Sequence, residues 1–247
     1  MISKLTVYKQ ALLMAQLSDL AYNDNQLFND LGFDSIFLSK NGTQAYFIWN
    51  KHDAIIVCRG TQPTEWADIK ADLELNLVPS NSGHGLVHHG FKHSVDLIWP
   101  DLVTLLKKFG SNRHIWCTGH SLGAAMATLI TSRCHQLTHL PNPVLFTFGS
   151  PKVGNAEYVE FMNSLNIEHH RWVNNSDIVT RNPLGPYIHH GELNYFDHDG
   201  NVAVMGWFRL LIDRVKGFIV GIKKGKINFF VNHFITNYVN NLKEISK

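Results

Sequence analysis

The chain has 247 residues, 45% of them hydrophobic, with 22 Lys and Arg against 20 Asp and Glu. That apolar content can build a packed core and suits a single domain over residues 1–247, while a formal charge of +2 gives no bulk electrostatic case for a nucleic-acid partner. No window is apolar for long enough to form a transmembrane segment, and three widely spaced cysteines, Cys58, Cys117 and Cys134, make neither a disulfide framework nor a zinc pattern and read as buried thiols.

Taken in chain order, the first segment is interrupted by Lys9, Gln10, Gln16 and Asp19, so it is not a secretory leader. The default expectation is then a cytoplasmic protein, with secretion the alternative if a leader was removed or export needs none. The spacing of Leu5, Leu12, Leu13, Leu17 and Leu20 predicts an amphipathic helix instead. Short β-like runs follow at Ser35–Leu38, Ala45–Trp49 and Ala54–Cys58, separated by turn residues, and they suggest an antiparallel start to a sheet. The pattern then alternates. A helix is predicted over Gly90–Phe109 with a kink at Pro100, a strand over His114–Thr118, and a helix over Leu122–Cys134. A strand over Val144–Phe148, a helix over Asn155–Leu165 and a strand over Ile167–Val173 come next. Such alternation implies a mostly parallel sheet covered by helices, an α/β fold. A return strand at Leu193–Phe196 and two late helices, Gly206–Lys223 and Asn232–Leu242, complete the reading.

The chemistry concentrates at Gly119-His120-Ser121-Leu122-Gly123, a G-x-S-x-G pattern. Alone it is weak. Here a strand precedes it and a helix rich in small residues follows it, which is the setting a nucleophile elbow requires. Gly119, Gly123 and Ala124 allow the tight turn and the close approach of helix to sheet. A serine hydroxyl needs a base, and in this setting the order is Ser, then Asp or Glu, then His. Among the downstream acids Asp177 is best placed, just after the strand ending at Val173, where functional loops gather. For the base, His189, His190, His198 and His233 all follow Asp177, and spacing does not choose among them; His198 lies directly after a strand and His233 late in the chain.

Beyond these residues, the chain resembles the class 3 lipase family, the fungal-type triacylglycerol lipases and their bacterial relatives. The likeness rests on Ile55-Ile56-Val57-Cys58-Arg59-Gly60-Thr61, His88-His89-Gly90-Phe91, the G-H-S-L-G pentapeptide, Thr147–Asn155, Val173–Val179, and Asn232-His233 followed by Tyr238. Lys152 stands where the family has Arg, and Asn232 where it often has Asp. The resemblance implies an α/β-hydrolase fold and selects His233 as the base. It assigns His189 and His190 to a non-catalytic H-x-G-E-like segment.

The expected chemistry is acyl transfer through an acyl-enzyme. Ser121 attacks, His233 moves the proton and Asp177 orients the imidazole. Leu122 N–H is the first expected oxyanion donor, as the residue after the nucleophile; the resemblance places the second at Thr61. No cofactor or metal is expected, because the His pairs lack ligand spacing. The resemblance also implies a lid near residues 62–72, where Trp66 and Ile69 share one helix face and would meet substrate. A fixed helix on the core explains that stripe equally well.

The expected substrate is a lipid or other carboxylic ester, with transient contact at a lipid interface. Residues 206–224 carry an apolar stripe beside Arg209, Arg214, Lys216, Lys223 and Lys224; this reads first as a helix packed on the sheet and second as a membrane-surface element. Three alternatives share the sequence: a phospholipase, an acyltransferase, and a catalytically silent binding module.

Overall fold

The computed structural model describes residues 1–23, 26–60, 76–138, 140–203 and 231–247. The expected lid at 62–72, with Trp66 and Ile69, the oxyanion candidate Thr61, and the expected helix over 206–223 lie outside the described residues.

Helix α1 (Val7–Leu20) is capped by Thr6, whose hydroxyl accepts from the Lys9 N–H, and buries Ala11, Met14, Ala15 and Leu17. A short helix α2 (Gln26–Asp30) follows. Strands β1 (Asp34–Lys40), β2 (Thr43–Trp49) and β3 (Asp53–Cys58) form an antiparallel meander. The tight β1–β2 turn uses Asn41 and Gly42, both at positive φ, as a two-residue hairpin requires. A small hairpin, β4 (Leu77–Pro79) with β5 (Leu86–His88), precedes α3 (His89–Phe109), and sequence patterning did not reveal it. His88 caps α3, its Nδ1 accepting from the Phe91 N–H, and the helix continues past Pro100 to Phe109.

The remaining elements alternate: β6 (His114–His120), α4 (Leu122–His135), β7 (Val144–Phe148), α5 (Ala156–Ser164) and β8 (His169–Asn174). Then come β9 (Glu192–Phe196), β10 (Val202–Ala203) and α6 (Ile235–Ile245). The main sheet has eight strands in the order β1-β2-β3-β6-β7-β8-β9-β10. Pairing is parallel from β3 through β9 and antiparallel at both margins. The expected return strand therefore runs parallel to β8, and it is β10 that turns back. The predicted late helix begins at Ile235, three residues later than expected, because Val231–His233 form a separate 3₁₀ turn.

The central strands are buried on both faces, as parallel strands between helices must be. Along β3, Ala54, Ile56 and Cys58 join the layer built with α3, α4 and α5, while Ile55 and Val57 join the layer built with α1 and α6. Cys58, Cys117 and Cys134 are free and buried. This is the α/β-hydrolase arrangement. It brings the carboxyl ends of β3, β6, β7 and β8 side by side, and the loops leaving them carry Gly60, Ser121, Gly149 and Asp177.

Candidate active site

Ser121 stands between β6 and α4 with φ 61° and ψ −128°, a conformation that a non-glycine residue holds only at a cost of about 1–3 kcal/mol. Its surroundings enforce it. The Ser121 N–H donates to the Phe148 carbonyl at 3.0 Å, and its carbonyl accepts from the Ala124 N–H at 3.0 Å. The two elbow glycines are obligatory for contact: a methyl on Gly119 would lie 2.4 Å from the Gly123 carbonyl carbon, and one on Gly123 would lie 2.2 Å from the Cys58 carbonyl oxygen. The turn is thus wedged between its own helix and the neighbouring strand. Ser121 Oγ is buried, and among the described residues it has no hydrogen-bond partner. An unsatisfied buried hydroxyl is costly, so its presence at a strained turn points to function.

Asp177 and His233 are adjacent and 1% exposed each. His233 Nδ1 lies 3.0 Å from Asp177 Oδ1 and 2.9 Å from Oδ2. Since a carboxylate only accepts, the Nδ1 proton is committed there, and neutral His233 is the tautomer with its lone pair on Nε2. The carboxylate is further held by the Val179 N–H on Oδ1 at 2.9 Å and the Tyr238 hydroxyl on Oδ2 at 2.6 Å. The Tyr238 oxygen in turn accepts from the Asn174 N–H at 3.1 Å. Burial, and then the Asp177 charge, push the Tyr238 phenol well above its ordinary range, so it stays a donor.

The segment bearing His233 is tied to the segment bearing Asp177. Asn174 Nδ2 donates to the Asn232 carbonyl at 2.9 Å, and Asn232 Nδ2 donates to Ser176 Oγ at 2.7 Å. The Asn at 232, where the family often carries Asp, supplies a donor that a carboxylate would lack. Gly149, at φ 58°, packs its Cα on the pair; a methyl there would lie 2.7 Å from Asp177 Oδ2 and 2.9 Å from His233 Nδ1. Because the Ser121 N–H is bonded to Phe148, Ser121 and the His233 imidazole flank the same Phe148–Gly149 turn.

Leu122 opens α4, so its N–H belongs to the first turn of donors that a helix leaves without an intrahelical acceptor. Gly60, the residue before Thr61, reaches the elbow: a methyl on it would lie 3.3 Å from Ser121 Cβ. The other candidate bases are engaged elsewhere. His198 lies in the β9–β10 turn beside Asp199 at 3.4 Å. His189 Nε2 donates to the Thr180 carbonyl at 2.7 Å, and His190 Nδ1 meets His169 Nδ1 at 2.8 Å. Among the described residues no group of three or more His, Cys, Asp or Glu could hold a metal ion, and no helix is long and apolar enough to cross a membrane.

Sequence reading missed two contacts of this site. Tyr238 was visible in the His233 segment, but its reach to Asp177 depends on α6 folding back over β8. Gly149 was visible in Thr147–Asn155, yet nothing local says what its missing side chain makes room for.

Against known proteins, the Lipase (class 3) family profile matches residues 55–186, more than half of the chain. The chain is 32% identical over 186 residues to Toxin TseL of Vibrio cholerae, covering 58% of this chain and 28% of that protein. It is 31% identical over 153 residues to the chloroplastic phospholipase A(1) DAD1 of Arabidopsis thaliana, covering 54% and 34% respectively. It is 34% identical over 114 residues to a lipase of Rhizomucor miehei, covering 43% and 31%. These matches span only about a third of the curated relatives or less. A solved structure of the Rhizomucor miehei triacylglyceride lipase superposes with a TM-score of 0.67 at 25% identity, over 76% of this chain and 79% of that one. On the sequence match and the shared fold together, the chain belongs to the class 3 lipase family.

Proposed function

We propose that this protein is a serine ester hydrolase acting on lipid esters, with Ser121 the nucleophile, His233 the general base and Asp177 its orienting acid. The observation that carries the reading is the buried Asp177–His233 pair beside a strained, buried serine at an elbow. A fixed Nδ1 proton leaves Nε2 to take the Ser121 proton as Oγ attacks an ester carbonyl. Asp177 then faces the imidazolium that forms and stabilises it in a site of low dielectric. His233 returns the proton to the leaving alkoxide, and water repeats the sequence on the acyl-enzyme. Leu122 N–H, with Thr61 N–H as second donor, is proposed to hold the tetrahedral oxyanion; losing one such donor costs about 10²–10³ in rate. The cycle needs no cofactor. Residues 1–247 are proposed to act as one hydrolase domain, with 62–72 as its lid and with contact to a lipid surface during turnover.

Triacylglycerol or a related neutral lipid ester is the proposed substrate class, supported by the family and by relatives named as lipases. A phospholipid is the second reading, favoured by the likeness to a protein named as a phospholipase A(1). The test is hydrolysis of p-nitrophenyl esters from short to long chains, then of triacylglycerol and phospholipid dispersions, by wild type and Ser121→Ala. Turnover lost in Ser121→Ala supports the reading. A folded wild type that hydrolyses none of them sinks it and leaves the silent binding module.

A further inference from the structure

Tyr22 sits just past the end of α1 and far in sequence from the elbow, yet its hydroxyl lies 2.9 Å from His120 Nδ1. The other ring nitrogen of His120, Nε2, lies 2.6 Å from the His233 carbonyl oxygen. A carbonyl only accepts, so His120 Nε2 carries the hydrogen. Neutral His120 then offers a lone pair at Nδ1, and Tyr22 must donate to it. Every direction in the chain of bonds is fixed: Tyr22 to His120, and His120 to the backbone of His233.

The same phenol touches the strand that leads toward Thr61. Gly60 packs against the Tyr22 oxygen: a methyl on Gly60 would lie 2.4 Å from that oxygen and 2.6 Å from the His120 carbonyl oxygen. Arg59 packs over the same ring, its guanidinium 5.8 Å from the Tyr22 ring centre and donating to Gln44 Oε1. His120 is fully enclosed, and its ring lies 4.5 Å from that of His233. Burial, then the neighbouring His233, keep the His120 imidazole well below its ordinary range and so uncharged, as the bond directions require.

We propose that Tyr22 is a positioning residue, which through His120 sets the His233 backbone and through Gly60 sets the approach of the β3 end to Ser121. One phenol thereby couples the base to the strand end next to the oxyanion position. The proposal rests on the reading of Ser121 and His233 as the reacting pair. A residue that merely packed α1 on the sheet would need neither the hydroxyl nor the imidazole acceptor.

The test is a double-mutant cycle on Tyr22→Phe and His120→Gln. The first removes only the hydroxyl. The second keeps an amide donor for the His233 carbonyl and drops the acceptor facing Tyr22. Three readouts are taken: kcat and KM on a short-chain p-nitrophenyl ester, the rate of covalent labelling by a fluorophosphonate, and the melting temperature. The expected result is a fall of about tenfold in kcat and in labelling rate for Tyr22→Phe, with KM changed by less than about twofold. The double variant should be no slower than the slower single variant, since both break one chain. A wild type that neither turns over nor labels overturns the hydrolase reading and this proposal with it. A reactive wild type matched by an equally fast Tyr22→Phe, or single effects that multiply in the double variant, overturns the positioning role alone. A variant that melts earlier but keeps its kcat below the melting range does the same.

Discussion

The Tyr238 hydroxyl donates to Asp177 Oδ2 at 2.6 Å, and neither group is more than 1% exposed. The bond joins α6 to the loop after β8, so the segments carrying Asp177 and His233 also lock the last helix onto the sheet. Tyr238→Phe keeps the ring and removes the donor from a buried charged acceptor. We expect a loss of about 1.5–3 kcal/mol in unfolding free energy, read by urea denaturation, together with a lower kcat. An unchanged denaturation midpoint would show that Asp177 finds a substitute partner.

Gly149 makes a sharper case, because the space its side chain would take is filled by Asp177 and His233. Gly149→Ala places a methyl within 3 Å of both Asp177 and His233 at a φ of 58°. We predict a fall of about a hundredfold in kcat for displacement of that pair by a fraction of an ångström. Gly32→Ala is the matched control: it also has positive φ, but a methyl there meets nothing within 4 Å. It should keep wild-type kcat and lose only a little stability.

The Asn174–Asn232 bond tests whether the His233 segment depends on its tie to β8. Asn174→Ala removes the donor to the Asn232 carbonyl and the acceptor for Asn241. We expect about 1–2 kcal/mol of destabilisation and a kcat that drops more than KM rises. Equal catalytic parameters with reduced stability would mean that α6 alone positions His233.

Stability should fall in acid before the carboxylates titrate. Burial, then Arg171, hold the His189 imidazole down to about 3 and the His190 imidazole down to about 4. His169 is held well below its ordinary range by burial, then by His190 and Arg171. The folded values lie below the unfolded value of about 6.5. The unfolded chain therefore binds more protons below that pH. The stabilisation is complete above about 6.5 and is lost as the pH drops toward about 4 for His190 and about 3 for His189, at up to about 1.4 kcal/mol per pH unit for each group. Denaturation midpoints measured at pH 7.5, 6.0 and 5.0 should decline, and His190→Gln should flatten the decline. A flat profile in wild type would contradict the buried neutral cluster.

How far the sequence disclosed this molecule follows from the range of each interaction. The strand–elbow–helix around Ser121 is local, written in glycines and alternation over a few residues, and it was legible together with the parallel βα run. Asp177 was legible because it follows a strand. His233 could not be told from His198 by spacing, since the choice depends on α6 returning across β8; family resemblance supplied it. Tyr22 and Gly149 act through contacts spanning up to about a hundred residues, and a pattern of a few residues carries no trace of them. The hairpin of β4 and β5 was missed because three-residue strands leave almost no periodicity.

The central claim is that Ser121 is a nucleophile made reactive by the Asp177–His233 pair. The most direct measurement is reaction of the purified protein with a fluorophosphonate, followed by peptide mass spectrometry, for wild type, His233→Ala and Ser121→Ala. The account predicts one adduct, on the peptide containing Ser121, formed at least about a hundredfold more slowly in His233→Ala and absent in Ser121→Ala. An adduct on another residue, or equal labelling of wild type and His233→Ala, would contradict it.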